Sequence, residues 1–468
     1  MQNNRNFFIT IALSVLILTL WQVFYMNPRV EAQREAARIE TERQDAEKKA
    51  DPNAPGGVAP SVPGVAGSDG ASEAGREQAL ASSQRVAIET PSLTGTINLT
   101  GARLDDLHLN EYRLTVDPNS PTIELLNPQT LPTGYFAEIG FVGNDATGPV
   151  PGPDTVWTVD NGSKLTPTTP VTLAWTNDKG LTFKRTISVD AHYMFTVTDT
   201  VSNAGTAAVS LANYGRVTRF DKPAHASAYV LHEGLIGVTG EEGLQEIKYS
   251  TVEDDKQIVP GKSKDGWLGI TDKYWAVALV PSAKQPFQPR FSYFGDGKER
   301  YQADYLTDAV SVAPGQSSEV QSRVFAGAKQ VSVVDTYKDQ YSINRFDRLI
   351  DWGWFYFLTK PMFYLMDWLY HLLGNFGLAI LGTTVIVKAI FFPLANKSYK
   401  SMANMKKVQP AMLEIREKYA DDKMKQQQAL MELYKKEKIN PVAGCWPVAL
   451  QIPVFFSLYK VIFITIEM

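Results

Sequence analysis

Hydrophobic positions along this chain follow three rhythms. In the first, apolar residues dominate long runs: Phe7 to Met26 (FFITIALSVLILTLWQVFYM), Phe376 to Leu394 (FGLAILGTTVIVKAIFFPL) and Val442 to Ile466 (VAGCWPVALQIPVFFSLYKVIFITI). Each run has about the length that crosses the hydrocarbon core of a bilayer. In the second, from about Arg85 to Gln340, apolar and polar residues alternate in stretches such as VTLAWTN, LTFKRTISVD and MFTVTDTVSN, closed by Asn, Asp, Gly or Pro. Many short strands with regular turns predict an all-β sandwich large enough to hold its own core.

The third rhythm is helical. Between Ile350 and Gly374, Trp354, Phe357, Leu365, Trp368 and Leu372 recur at roughly helical spacing, with Lys360, Asp367 and His371 on the other side and Pro361 as a break or helix start. The density of Trp and Tyr predicts a helix lying along a membrane interface; the alternative is a core helix packed on the β-domain. Further on, Met402, Met405, Val408, Met412, Ile415 and Tyr419 form one helical stripe. Asp421 is placed to cap a second helix carrying Met424, Gln427, Met431 and Tyr434, which Asn440-Pro441 ends. The two make a hairpin whose stripes pack on each other. A sharper reading takes Met402, Met405, Met412, Met424 and Met431 as an adaptable receiving surface.

Charge orients these elements. Arg5 precedes the first run, which is longer than a signal-peptide core and lacks an A-x-A-like cleavage site, so it reads as an uncleaved anchor with a cytoplasmic N-terminus. Three spans then place residues 27 to about 345 outside and 395–440 inside, where lysine and arginine outnumber the acids. The expected order is a cytoplasmic N-terminus (1–6), an anchor (7–26), a charged then Pro/Gly-rich tether (27–84), the β-domain (85–343), an interfacial helix (344–374), a span (375–394), the hairpin (395–440) and a third span (441–466). Its class is a multidomain α+β membrane protein.

Composition removes several functions. The net charge of -4 over 468 residues leaves no basic stripe for nucleic acid, and the single cysteine, Cys445, excludes an internal disulfide or a cysteine-built metal site. Mean hydropathy is -0.18, so the apolar character lies in the runs and not in the average. No Walker, G-x-S-x-G or H-E-x-x-H motif is present. Only HASAYVLHEG brings two histidines close, His225 and His232 with Glu233 beside the second, which leaves a His/Glu sugar-converting site open against hydrogen-bonded or exposed histidines. The residue that demands a reason is Lys388, a charge inside the second run. Six residues from Leu394, it sits where a long side chain snorkels to the interface or serves a polar groove. Lys460, near the outer end of the third run, reads as an interfacial snorkeller.

TTVIVKAIFFPL, KSYKSMANMKKVQPAMLEIREKY and NPVAGCWPVALQIPVFFSLYK, in this domain order, resemble the YidC membrane protein insertases of Gram-negative bacteria. The resemblance covers essentially the whole chain. It implies a periplasmic β-supersandwich similar to sugar-mutarotase domains, and an inner-membrane helical bundle with a cytoplasmic hairpin. It further implies a groove open to cytoplasm and lipid, where a cation receives polar or acidic segments of nascent membrane proteins before their apolar segments enter the bilayer. Lys388 would be that cation, with Thr384 one helical turn away and Gln451, Ile452 and Phe455 on the substrate-facing side of the third span. The five methionines would receive substrate. The implied partners are nascent chains, lipid, the Sec translocon, the ribosome and signal-recognition components, with no cofactor, no metal and no covalent reaction. Two departures stand out: relatives usually carry arginine where this chain has Lys388, and the family continues with further spans beyond IEM, so the groove is expected to be incomplete. The competing functions are a membrane-anchored carbohydrate-binding or mutarotase-like domain and a small-solute transporter.

Overall fold

Alternation with period two sends Leu181, Phe183, Arg185, Ile187 and Val189 of the strand Leu181–Val189 to one buried side, while Thr182, Lys184, Thr186 and Ser188 stay more exposed. The same rule builds two large sheets in a computed structural model that describes residues 75–223, 231–420, 422–437 and 446–467. The anchor, most of the tether, His225, Asp421, Cys445 and Pro441 lie outside the described residues.

One sheet has eleven strands, with Arg103–Arg113, Tyr135–Val142, Val209–Phe220, Arg300–Thr307 and Phe287–Phe294 along its path. The other has nine and centres on Trp275–Val280, Ser317–Ala328, Met194–Asn203 and Leu181–Val189. Pairing is antiparallel except where Arg85–Glu89 meets Lys164–Leu165. The core lies between the sheets, with Trp157, Phe183, Trp267, Phe291 and Phe325 all but sealed from solvent.

Arg185 stands on this apolar face, opposite Asp199 in the neighbouring strand. Its Nε and Nη2 donate to the two Asp199 carboxylate oxygens at 2.7 and 2.8 Å, and Nη1 donates to the Ile139 carbonyl of the other sheet at 2.8 Å. The guanidinium also lies 5.0 Å from the Trp157 ring centroid. A buried charge is tolerated when each guanidinium nitrogen is met in this way and the carboxylate lies opposite.

Eight α-helices are described: α1 (Arg76–Ala81), α2 (Tyr249–Asp255), α3 (Val331–Gln340), α4 (Tyr356–Leu373), α5 (Phe376–Lys407), α6 (Gln409–Lys418), α7 (Lys423–Lys436) and α8 (Trp446–Ile464). Gly374, at φ +67°, ends α4 and leads straight to Asn375, whose side chain accepts from the Leu378 N–H and starts α5. The Tyr370 and Phe376 rings stack across this corner at 3.9 Å.

Asp199→Ala should lower unfolding stability by about 3–5 kcal/mol, because it strands the Arg185 charge in the core. Asp199→Leu with Arg185→Met should recover most of that loss. Urea titration of the full chain, followed by near-UV circular dichroism, measures both.

Candidate functional site

Among the described residues, α5 is the one helix long and apolar enough to cross a membrane, and Ala449–Ile464 is a shorter apolar stretch. Both expose large apolar side chains while burying polar ones beside small or apolar neighbours. On α5, Leu381, Val385, Ile390 and Phe392 are exposed while Ala379 and Thr383 are buried. On α8, Ile452, Phe455, Tyr459 and Ile462 are exposed while Val454, Ser457, Lys460, Val461 and Thr465 just beyond the helix are buried. Water favours the reverse arrangement; lipid favours this one.

Lys388 is exposed within that apolar surface, and its Nζ lies 5.4 Å from the centroid of the Phe455 ring. Among the described residues no carboxylate lies within ion-pair distance of it. Thr384 occupies the same face one turn earlier and donates its hydroxyl to the Ile380 carbonyl at 2.9 Å. Gln451 and Ile452 lie four and three residues before Phe455, on the same side of α8. The structure thus brings Lys388 and Phe455 together, with Thr384, Gln451 and Ile452 on the flanking turns.

Three sequence expectations for the hairpin need correction. The single methionine stripe is divided, because α5 runs on to Lys407 and breaks at Val408. Pro410 lacks the N–H that a continuing helix would use there. Met402 and Met405 therefore belong to the end of α5 and Met412 to α6. The cap of α7 is Asp422, whose carboxylate accepts from the Lys425 N–H at 3.0 Å, and not Asp421. The α7 stripe also does not pack wholesale on α6. Gln426, Ala429, Leu430, Leu433 and Tyr434 are half-buried, leaving Met424 74% and Met431 63% exposed. Tyr434 Oη reaches the Met412 Sδ at 3.8 Å.

Lys460 is not an interfacial snorkeller. It is 2% exposed and pairs with Asp351 at 2.8 Å. On α4, Trp354 just before the helix, Phe357, Trp368 and Leu372 form an exposed stripe, whereas Met362, Phe363, Met366 and Leu369 are buried. Lys360 pairs with Asp335 at 2.7 Å and Asp347 at 3.2 Å. Of the three polar residues expected together, only Asp367 and His371 meet, at 3.5 Å. The acceptors Asp335, Asp347 and Asp351 carry no motif, and the Gly353 turn is their one local signal.

Residues 85–365 match the YidC periplasmic domain and residues 368–468 match the 60Kd inner membrane protein family. A membrane protein insertase YidC of Mesorhizobium japonicum is 72% identical, over 100% of this chain and 79% of that protein. One of Brucella melitensis is 62% identical over the same shares. The chain belongs to the YidC membrane protein insertase family. A solved active YidC insertase is similar at 18% identity, covering 81% of this chain and 72% of that one, with a TM-score of 0.26.

YidC insertases belong to the inner membrane and catalyse no covalent reaction, which removes the need for an acid/base pair in the β-domain. The geometry at His232 agrees. Its Nε2 lies 2.9 Å from the Leu235 carbonyl, which can only accept, so the ring carries its proton there. Neighbouring Glu233 accepts from the Lys273 N–H at 3.1 Å. Both side chains are buried and serve the fold. Burial pushes the His232 pKa down from 6.5 to about 4, against the raising effects of the Leu235 hydrogen bond and the Asp351 charge.

Between those two values the unfolded chain binds the extra proton. This contribution is therefore complete above pH 6.5 and is lost as pH falls towards 4. At most it amounts to about 3 kcal/mol. His232→Gln, which keeps a donor for Leu235, should flatten the fall in stability between those pH values. Thermal unfolding at stepped pH, with the unsubstituted chain beside it, measures the difference.

Proposed function

We propose that this YidC-family insertase receives polar or acidic segments of nascent membrane proteins at Lys388 and releases their apolar segments into lipid along the exposed faces of α5 and α8. The observation that carries the reading is a cation exposed on a mostly apolar helix face, with an aromatic ring and, among the described residues, no carboxylate beside it. An ammonium at such a depth costs about 2.5–3.5 kcal/mol on insertion scales. A ring over it returns only about 0.5–2 kcal/mol. The remaining deficit is what an incoming carboxylate relieves.

Transfer of the substrate's apolar run then supplies the drive. Each central Leu, Ile, Phe or Val contributes roughly 0.3–0.6 kcal/mol, so about twenty give roughly 6–12 kcal/mol without coupling to a nucleotide. Thr384, Gln451, Ile452 and Phe455 form the walls next to the cation. Met402, Met405, Met412, Met424 and Met431 form the earlier receiving surface, a role favoured by the exposure of three of them.

The arrangement extends to the whole chain. Residues 7–26, 375–394 and 441–466 span the inner membrane and 395–440 face the cytoplasm. The β-domain, of supersandwich form, lies in the periplasm with α4 along the outer leaflet, its aromatic stripe of Trp354, Phe357 and Trp368 supporting that placement. The Sec translocon, the ribosome and signal-recognition components are its expected partners.

Lys388→Ala should reduce insertion of a single-span protein with an acidic tail by roughly tenfold, equivalent to one lost charge-assisted contact. Lys388→Arg should keep most of it, and a substrate with a neutral tail should respond little to either. Protease protection of the translocated tail reads all three; unchanged insertion by Lys388→Ala at normal expression rejects the role of the charge. A stalled nascent chain should crosslink to probes at Thr384 and Phe455, and absence of crosslinks there removes the groove assignment.

A further inference from the structure

Asp351 lies in the turn between the β-domain and α4, yet its contacts reach far along the chain. Its Oδ2 accepts both the main-chain N–H of His232, at 2.9 Å, and the Lys460 ammonium, at 2.8 Å. Its Oδ1 accepts from the Gly353 N–H at 3.0 Å, closing the turn. Gly353 holds φ +71°, and a Cβ there would meet Lys460 Cε at 3.4 Å, so the turn fits closely around the lysine. One carboxylate therefore joins a β-domain segment to α8.

Two further contacts hold the same end of α8 and the residues just after it. Lys273 Nζ, from the β-domain, lies 3.9 Å from the Phe463 ring centroid, and the Val331 N–H donates to Glu467 Oε1 at 2.5 Å. These could seat the end of the helix, but only Lys460 is a charge drawn onto a fixed partner from within α8. Phe455 precedes Lys460 by five residues, a rotation of about 140° on a helix. Holding Lys460 against Asp351 thus turns Phe455 away from the β-domain and towards Lys388.

We propose that Asp351 is a positioning residue for insertion: by clamping Lys460 it sets the rotation of α8 that presents Phe455 to Lys388. The consequence for insertion rests on the groove reading above, whereas the consequence for geometry does not. A test must therefore read the two separately.

With Cys445→Ser removing the single native thiol, Lys388→Cys and Phe455→Cys form a pair for a short bis-maleimide linker. Into this background go Asp351→Asn, Lys460→Met or Lys460→Arg. Crosslinking should fall at least threefold with Asp351→Asn and with Lys460→Met, and Lys460→Arg should return it to within twofold of the parent. The β-domain's near-UV spectrum should stay the same throughout. Crosslinking unchanged by both Asp351→Asn and Lys460→Met overturns the proposal. Should Lys460→Met fail to accumulate, Asp351→Asn, which barely alters side-chain volume, decides alone.

Insertion is measured in parallel chains that keep Lys388 and Phe455. A matching fall supports the positioning role. A fall in crosslinking with insertion unchanged overturns that role while leaving the clamp, and it counts against the groove reading; Lys388→Ala then tests that reading independently.

Discussion

The helical part of this protein depends on one constraint: on α5 and α8 apolar side chains cover the outer face while polar ones such as Thr383, Ser457 and Lys460 lie buried. Thr359 donates to the Phe355 carbonyl, Ser457 to that of Pro453 and Thr465 to that of Val461, so these three buried hydroxyls are met by helix backbone. In an apolar solvent an exposed Leu or Ile costs nothing, whereas an unmet polar group costs several kcal/mol. Lys388 stands out on that face as an exposed charge beside the Phe455 ring, which is why the receiving role is proposed there.

The β-domain obeys the opposite rule, the one water imposes. Its strands alternate, its core is aromatic and aliphatic, and charges that fall inside are paired, as Arg185 is with Asp199. The two regimes meet at a seam of carboxylates. Asp335, Asp347 and Asp351 receive Lys360 and Lys460, and Tyr356 Oη donates to Asp347 at 2.6 Å. Such pairs give directional contact where apolar burial alone would let the surfaces slide.

Much of this was legible in the chain. The alternation from Arg85 to Ala328 is a property of neighbouring residues, as is the charge interrupting a membrane-length run at Lys388. Local pattern misled in several places. The methionine stripe continues past Val408 in sequence although Pro410 ends the helix, the cap of α7 fell one residue later, and Lys460 looked like a solitary charge at a span end. The pairing of Lys388 with the α8 side came from resemblance alone, because nothing near Lys388 names Phe455.

The sequence by itself determined the periodic elements, the strand-built character of residues 85–328 and the position of the unusual cation, but it carried the β pattern on through Val331–Gln340, which is helix α3. It determined these because strand and helix patterns repeat over two to four residues and a buried charge stands out within its own run. Tertiary structure alone decided which ring faces Lys388, which carboxylate holds Lys460, and that His232 serves the fold. Asp351 and His232 are 119 residues apart and Asp351 and Lys460 are 109 apart, and no local period connects partners brought together only when separate elements pack.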